Sequence, residues 1–298
     1  MSVERLRRSL LFVPASEPPR VAEGAACEAD GLILDLEDTV ARGAKPRALD
    51  HAVEALGKHD FGTKEVTVRI NALATLQGRR DLEVIVAARP HAVCLPKIGS
   101  AADVLRAERM VGELEAKHGL APGAIRLHVM IETASGVLHA SEIARSSLRI
   151  DALLYGGGDY IREAQGWPSP ERTEQLYALT QTLLAARAAF LDALDAPAFG
   201  VTEAAVEREA RQARAIGYSG KTIVDPRHVD AVHRVFTPAA EEIERAQRLI
   251  KAYRDADTAG VGVLELDGHF VDAVHVRIAR RIVRQAELVA AAKRRGGV

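Results

Sequence analysis

Eight short apolar runs, each followed by a longer stretch with helical spacing, restrict this chain to very few architectures. The runs are Ser9–Val13, Leu32–Leu36, Val66–Ile70, Ala92–Leu95, Leu127–Ile131, Ala152–Tyr155, Ala196–Gly200 and Thr222–Val224, of which the seventh, APAFG, is the weakest. Between them lie Ala- and Glu-rich segments such as Ala101–Lys117, Glu171–Leu194 and Glu203–Ile216. In the first of these, Ala102, Leu105, Met110 and Leu114 recur at three to five residues, a helical spacing. Regular strand–helix alternation builds a parallel sheet from βα units. Eight strands close a (β/α)8, or TIM, barrel, which takes roughly 250 residues. A doubly wound dinucleotide fold would carry a Gly-rich turn after its first strand, where this chain has VPASEPP. The expectation is therefore α/β, with a TIM barrel over residues 1–236 and a C-terminal helical extension over 237–298. In the extension, a helix over Pro238–Arg254, a break at Asp257–Gly262, a turn at Leu266–His269 and a last helix to about Ala291 are expected, with the chain fraying after Lys293.

The second run reads LILDLED. It starts as a buried strand and then places Asp35, Glu37 and Asp38 within four positions. In a TIM barrel the chemistry sits at the C-terminal ends of the strands. The other runs end likewise: Arg69 and Asn71 after the third, Lys97 after the fourth, Glu132 after the fifth, Asp159 after three glycines following the sixth, and Asp225 after the eighth. One charged strand end is ordinary, but six would converge on one rim. Side chains two apart on a strand share a face, so Asp35 and Glu37 point together, as do His128, Met130 and Glu132. Carboxylates crowded in this way cannot all stay ionised without a cation. Some are protonated, or Lys97 and Arg69 neutralise them, or a metal does. Two protein carboxylates with several waters are a usual Mg²⁺ site, and Glu132 with Asp159 is the candidate pair. The glycines before Asp159, Gly158 among them, let a ligand approach the backbone closely.

Other chemistries find little support. With 40 basic and 41 acidic side chains the formal net charge is -1, and aromatics make up 4% of the chain, which does not suit a nucleic-acid partner. Cys27 and Cys94 form no Cys-x-x-Cys pair. Spacings of five (His228, His233) and six (His269, His275) do not put two histidines on one helix face, and no Gly-x-Ser-x-Gly elbow exists. The apolar run near the N-terminus is too short for a signal-peptide core, no stretch has the length of a membrane helix, and Lys293–Arg295 reads as a solvated terminus. A soluble, cytoplasmic protein without membrane partners is expected.

In order, RSLLFVPAS, ADGLILDLEDTV, a later lysine, VRIN, LPKI, MIETASG, YGGGDY, GYSGK and DP lie between Arg8 and Arg280. This series resembles the CitE-like branch of the HpcH/HpaI aldolase superfamily, which includes the citrate lyase β subunit, malyl-CoA lyase and citramalyl-CoA lyase. The resemblance implies a TIM barrel, Mg²⁺, a coenzyme A (CoA) thioester substrate and a homotrimer or hexamer. It makes Glu132 and Asp159 the metal carboxylates, and Glu37 and Asp38 the acids that order metal-bound water and neighbouring polar groups. It makes Arg69 the grip on the substrate carboxylate, and Arg8 a residue near the acyl or CoA site. The segment Asp267–Asp272 resembles a Gly-x-x-(Ile/Val)-Asp motif whose aspartate reaches a neighbouring subunit's site as acid/base; Asp272 is the match. One departure is Val224-Asp225-Pro226, where the family commonly has Ile-His-Pro.

The activity implied is Mg²⁺-dependent carbon–carbon cleavage of a malyl-CoA- or citramalyl-CoA-type thioester to acetyl-CoA and a 2-oxo acid. Alternatives are a citrate lyase β subunit acting on an acyl-carrier-protein thioester, a malyl-CoA thioesterase or malate-synthase-like activity, a pyruvate aldolase acting on free acids, and a noncatalytic lyase subunit. Residue by residue, blander roles compete. Arg69 fits a salt bridge to a rim acid, Asp272 fits an exposed helix N-terminus, and Lys97 fits an ion pair balancing the acids better than a Schiff-base role.

Overall fold

The computed structural model describes residues 5–258 and 262–296. They form two compact units, residues 7–233 and residues 234–296, the latter together with residues 5–6. The strands of the first unit are β1 (Ser9–Pro14), β2 (Gly31–Asp35), β3 (Glu65–Arg69), β4 (Ala92–Leu95), β5 (Arg126–Ile131), β6 (Ile150–Tyr155), β7 (Asp192–Asp195) and β8 (Gly220–Ile223). Each pairs in parallel with the next, and β8 pairs with β1 to close the barrel. Helices α1 (Pro18–Ala26), α2 (Lys45–Lys58), α3 (Leu76–Ala87), α4 (Ala101–Lys117), α5 (Ala134–Leu138), α6 (Ala140–Arg145), α7 (Gly157–Ala164), α8 (Leu176–Ala188) and α9 (Glu203–Ile216) alternate with them, and α10 (Val229–Phe236) follows β8. The eight-stranded barrel expected from the sequence is therefore present. Among the described residues, no helix is long and apolar enough to cross a membrane.

Strand alternation sorts the barrel interior into three levels. At the N-terminal foot, Arg7 fills the opening with its guanidinium bound to Glu65 (2.7 and 2.8 Å) and Asp192 (2.7 Å). The middle is apolar, with Leu10, Phe12, Ile33, Met130, Leu154 and Leu194 in one buried cluster. Above it the same strand faces turn charged, with Asp35 two residues after Ile33 and Glu132 two after Met130. β2 and β5 thus lift Asp35 and Glu132 above an apolar floor.

The sequence misplaces one strand. Ala196–Gly200 is loop, and β7 is the preceding DALD, which falls inside the expected helix Glu171–Leu194. The true helix, α8, stops at Ala188, and Phe190 follows with a left-handed backbone (φ 59°) that no helix continues through. Acids disguised the strand, because Asp192 and Asp195 do not look like core. Asp192 is taken by Arg7, while Asp195 faces outward into the helix layer. There it accepts hydrogen bonds from both Nη atoms of Arg172 (2.9 and 2.6 Å) and from Lys221 Nζ (2.7 Å), and Lys221 also meets Glu209 at 3.3 Å.

The second unit contains α11 (Ala240–Thr258), a hairpin of β9 (Leu264–Leu266) and β10 (His269–Val271), and α12 (Ala273–Gly296). Asp267 and Gly268 link the hairpin with positive φ (54° and 75°), the conformation a two-residue turn demands. Part of the expected break at 257–262 lies outside the described residues, as does the start of the N-terminal segment. The end expected to fray after Lys293 is helical to Gly296.

The Asp195 cluster generates a pH prediction. Burial pushes its carboxyl up, but Lys221 and Arg172 outweigh that and hold it below the ordinary range. A depressed folded value contributes stability above the unfolded value of about 3.9, and that stability is lost as pH falls through the folded value. Asp195→Asn, which leaves two buried cations under-matched, is expected to cost about 3–5 kcal/mol at neutral pH and to flatten the acid limb of urea-measured stability below pH of about 4. An acid limb identical to that of the wild type contradicts this.

Candidate active site at the barrel mouth

Asp35 and Arg69 are register partners on β2 and β3, so their side chains leave the sheet side by side. Arg69 Nε donates to Asp35 Oδ1 and Nη2 to Oδ2, both at 2.6 Å, a two-point bridge of the strong kind. Asp35 is fully buried and accepts further bonds from the Glu37 N–H (2.9 Å), the Thr39 N–H (3.0 Å) and Thr39 Oγ1 (2.6 Å). One carboxylate thereby fixes both the arginine and the loop that carries the next two acids. Phe12 supports the guanidinium from beneath, with its ring centroid 4.7 Å from Cζ. Nη1 faces Glu37 Oε2 at 3.2 Å. The salt bridge to a rim acid is real, and of the three guanidinium N–H groups it leaves, one on Nη1 donates to Met130 Sδ (3.8 Å).

Around this pair the remaining acids meet one amine. Lys97 follows β4 with a left-handed backbone (φ 55°), unusual for a residue with a side chain. Its N–H donates to Glu132 Oε1 at 2.7 Å. Its Nζ lies 3.2 Å from Asp38 Oδ2, 3.5 Å from Glu37 Oε1 and 3.6 Å from Glu132 Oε1, and it contacts Asp159 Oδ2. Asp159 stands on the first turn of α7 rather than at a strand end, and its other oxygen accepts from Arg162 (2.7 Å). The four acids Glu37, Asp38, Glu132 and Asp159 therefore surround a single point.

Their environments pull them apart. Burial pushes Glu37 up to about 8, against the pull of Arg69 and Lys97. Its buried Oε2 accepts no hydrogen bond. Burial also raises Glu132. Asp159 is less buried, and the Lys97 bond overcomes desolvation and lowers it. For Lys97, burial favours the neutral amine, but Glu132 and its fellow acids outweigh it and keep the ammonium charged. Low-lying and high-lying acids side by side are the mark of a site that handles protons or cations.

Three residues of the rim were not assigned roles from the sequence. Asp35 was read only as one acid of three; its register position opposite Arg69 was the available signal. Lys45 donates from Nζ to Leu36 O (3.0 Å), Glu37 O (2.8 Å) and Asn71 Oδ1 (2.6 Å), holding the acid-bearing loop by its carbonyls. Gly156 is the third. A Cβ there would lie 2.5 Å from Glu132 Oε2, so Glu132 can occupy its place only beside a glycine. Gly158, the glycine singled out from the sequence, opens onto free space, with no atom within 4 Å of where a Cβ would stand.

Arg8 lies at the foot of the barrel, and Asp272 belongs to the second unit. Arg8 precedes β1, whose far end forms the rim, so it sits about 20 Å of strand away. There its backbone N–H and its guanidinium both bind Asp30 (2.7 Å each). Asp272 belongs to the second unit, between β10 and α12. It is half-buried, accepts from the Val274 N–H (2.8 Å) and His275 N–H (3.2 Å), and faces His275 Nδ1 at 2.7 Å, which lowers its carboxyl. Asp225, where the family has histidine, caps the turn Pro226–His228 and is bound by Arg227, which holds it at about 2.

The family model for HpcH/HpaI aldolase/citrate lyase matches residues 8–226. The citrate lyase subunit beta of Escherichia coli (strain K12) is 36% identical over 285 residues, spanning 95% of this chain and 94% of the relative. A (3S)-malyl-CoA thioesterase of Cereibacter sphaeroides is 35% identical over 286 residues, spanning 95% and 96%. Among solved structures, CitE from Mycobacterium tuberculosis in complex with magnesium, acetoacetate and coenzyme A is 30% identical with a TM-score of 0.77, covering 94% of this chain and 98% of that one.

The two glycines make opposite predictions. Gly156→Ala is expected to turn Glu132 out of its place and to cost about 1–3 kcal/mol in chemical denaturation. Gly158→Ala is expected to stay within about 0.5 kcal/mol of the wild type. Equal losses would contradict the packing argument.

Proposed function

The chain belongs to the HpcH/HpaI aldolase/citrate lyase family of lyases, and from its charged rim we propose that it cleaves the carbon–carbon bond of a 3-hydroxyacyl-CoA dicarboxylic thioester of malyl or citramalyl type. The products are acetyl-CoA and a 2-oxo acid. The single observation that carries this reading is the convergence of Glu132 and Asp159 on one positive charge, the Lys97 ammonium. A point that both carboxylates already share with a cation suits a divalent ion, and the unbonded Glu37 Oε2 adds an oxygen able to receive a water of its shell. Among the described residues no group of three or more acids, histidines or cysteines forms a ready cage. Mg²⁺ does not need one, because one or two carboxylates with waters and substrate oxygens complete its shell.

Magnesium held here would act as a Lewis acid toward the substrate hydroxyl and the oxo acid formed from it. The other tasks fall to side chains. Arg69, held in plane by Asp35, offers its remaining N–H groups to the substrate carboxylate, a planar grip that a lysine does not reproduce. Glu37 and Asp38 orient water and polar groups next to the cation. Cleavage removes the hydroxyl proton and releases an enolate of the thioester, which must take a proton at its α-carbon. An acid/base group placed there contributes about 10²–10⁴-fold. We assign that step to Asp272 of a neighbouring subunit in a trimer or hexamer; its place directly after the β9–β10 hairpin, with a side chain still open to solvent, supports the assignment.

A second reading, hydrolysis of a malyl-CoA-type thioester, is favoured by the thioesterase relative, which is nearly as similar as the lyase subunit. The thioester carrier is either CoA or an acyl carrier protein. Incubating the enzyme and Mg²⁺ with malyl-, citramalyl- and citryl-thioesters separates these readings. Glyoxylate, pyruvate or oxaloacetate release with an intact thioester product supports the lyase; free thiol with malate supports the hydrolase. Glu132→Ala is expected to lower turnover by about 10²–10³-fold. A variant with wild-type turnover rejects the ligand pair. Mixed oligomers of inactive Asp272→Asn and inactive Glu132→Ala subunits are expected to regain activity once subunit exchange is verified, and inactive mixtures reject the shared site.

A further inference from the structure

Lys97 is built to put positive charge among these acids at some cost to its own backbone. A left-handed φ on a residue with a side chain is a local strain of the kind that persists only when its surroundings over-determine it. Here the surroundings are the acids themselves. The backbone N–H binds Glu132 and the ammonium reaches Glu37, Asp38, Glu132 and Asp159. The side chain is only a quarter exposed, so the ammonium has left bulk water to lie there.

The same geometry creates a conflict. Glu132 and Asp159 are the carboxylates that the proposed reading gives to the divalent cation. The ammonium occupies the region where their oxygens converge, and two cations cannot share that region. At about 4 Å, even with an effective dielectric constant of about 20, a divalent ion and an ammonium repel by several kcal/mol. The chain offers Lys97 other positions, since its four-carbon stem is flexible and its binding is to side chains on the exposed side of the cluster as well as the buried one.

Resting on the reading that Glu132 and Asp159 bind the metal, we propose that the Lys97 ammonium is a tethered competitor that holds the metal position in the metal-free enzyme and is displaced when the divalent cation binds. Lys97 thereby keeps the metal-free rim electrically matched, and it weakens metal binding in return. The displaced ammonium becomes available to a negatively charged substrate, so that metal and substrate favour one another.

The probe is Mn²⁺ alone, titrated calorimetrically into the full-length protein without substrate. Lys97→Met is expected to bind Mn²⁺ about tenfold or more tightly than the wild type, and Lys97→Arg no more tightly. Without metal, Lys97→Met is expected to melt at a lower temperature than the wild type and to gain more from saturating Mg²⁺. Lys97→Gln is judged by the same standard should the Met variant not fold. A neutral variant that binds Mn²⁺ no more tightly than the wild type overturns the competition. A crystal of the Mn²⁺-loaded wild type is expected to show Nζ withdrawn from Asp159; Nζ still against Asp159 beside the ion overturns the displacement. The double variant Lys97→Met/Glu132→Gln separates the premise from the inference. If it binds as tightly as Lys97→Met, the ligand pair itself is wrong; if binding collapses while Lys97→Met shows no gain, the competition alone is wrong.

Discussion

Carboxylate repulsion is the constraint around which the barrel mouth is arranged. Asp35, Glu37, Asp38, Glu132 and Asp159 crowd one rim, and among the described residues Arg69, Lys97 and the more exposed Arg162 are the cations paired with them there. Left unmatched, such a group would either shed its charge or unfold its loops. The chain divides the problem. Arg69 is spent on Asp35, deep in the site, in a geometry too good to give up. Lys97 is spread over the other four, in a geometry that satisfies none of them fully. The Asp35–Arg69 pair is fixed, while the other four acids are left charge-hungry, and a charge-hungry set of oxygens is what a divalent cation requires.

The same division of polar from apolar runs down the barrel axis. Arg7 with Glu65 and Asp192 closes the foot, an apolar layer insulates the middle, and the acids stand above it. Insulation raises the stakes of every charge above the floor. Burial raises both Glu37 and Glu132, whereas Asp159, out on α7, is lowered. Neighbouring carboxyls are thereby given different proton affinities, by burial on one side and by the Lys97 and Arg162 cations on the other.

Much of this was legible in the chain because periodicity and strand-end position are properties of sequence. Seven of the expected runs overlap observed strands, and helices α4 and α9 fall within the expected bounds. Glu37, Asp38, Arg69, Glu132 and Asp159 meet because each follows a strand at the same end of a closed barrel, and Lys97 sits among the acids as an ion pair should. What was hidden depends on partners distant in sequence. β7 could not be read from DALD, because its acids look exposed until Arg7, Arg172 and Lys221 are folded onto them. Arg8 precedes its strand, so its guanidinium meets Asp30 at the barrel foot, a partner 22 residues away that the sequence does not single out. Gly156 was indistinguishable from its two neighbours until Glu132 packed against it.

The account stands on Glu132 and Asp159 sharing one divalent ion. A crystal soaked in Mn²⁺ and examined by anomalous scattering tests this most directly. A single peak bridging the two side chains, with an oxygen of each on the order of 2 Å away, is the predicted result. A peak bound elsewhere on the chain, or none at the barrel mouth at saturating Mn²⁺, would contradict it.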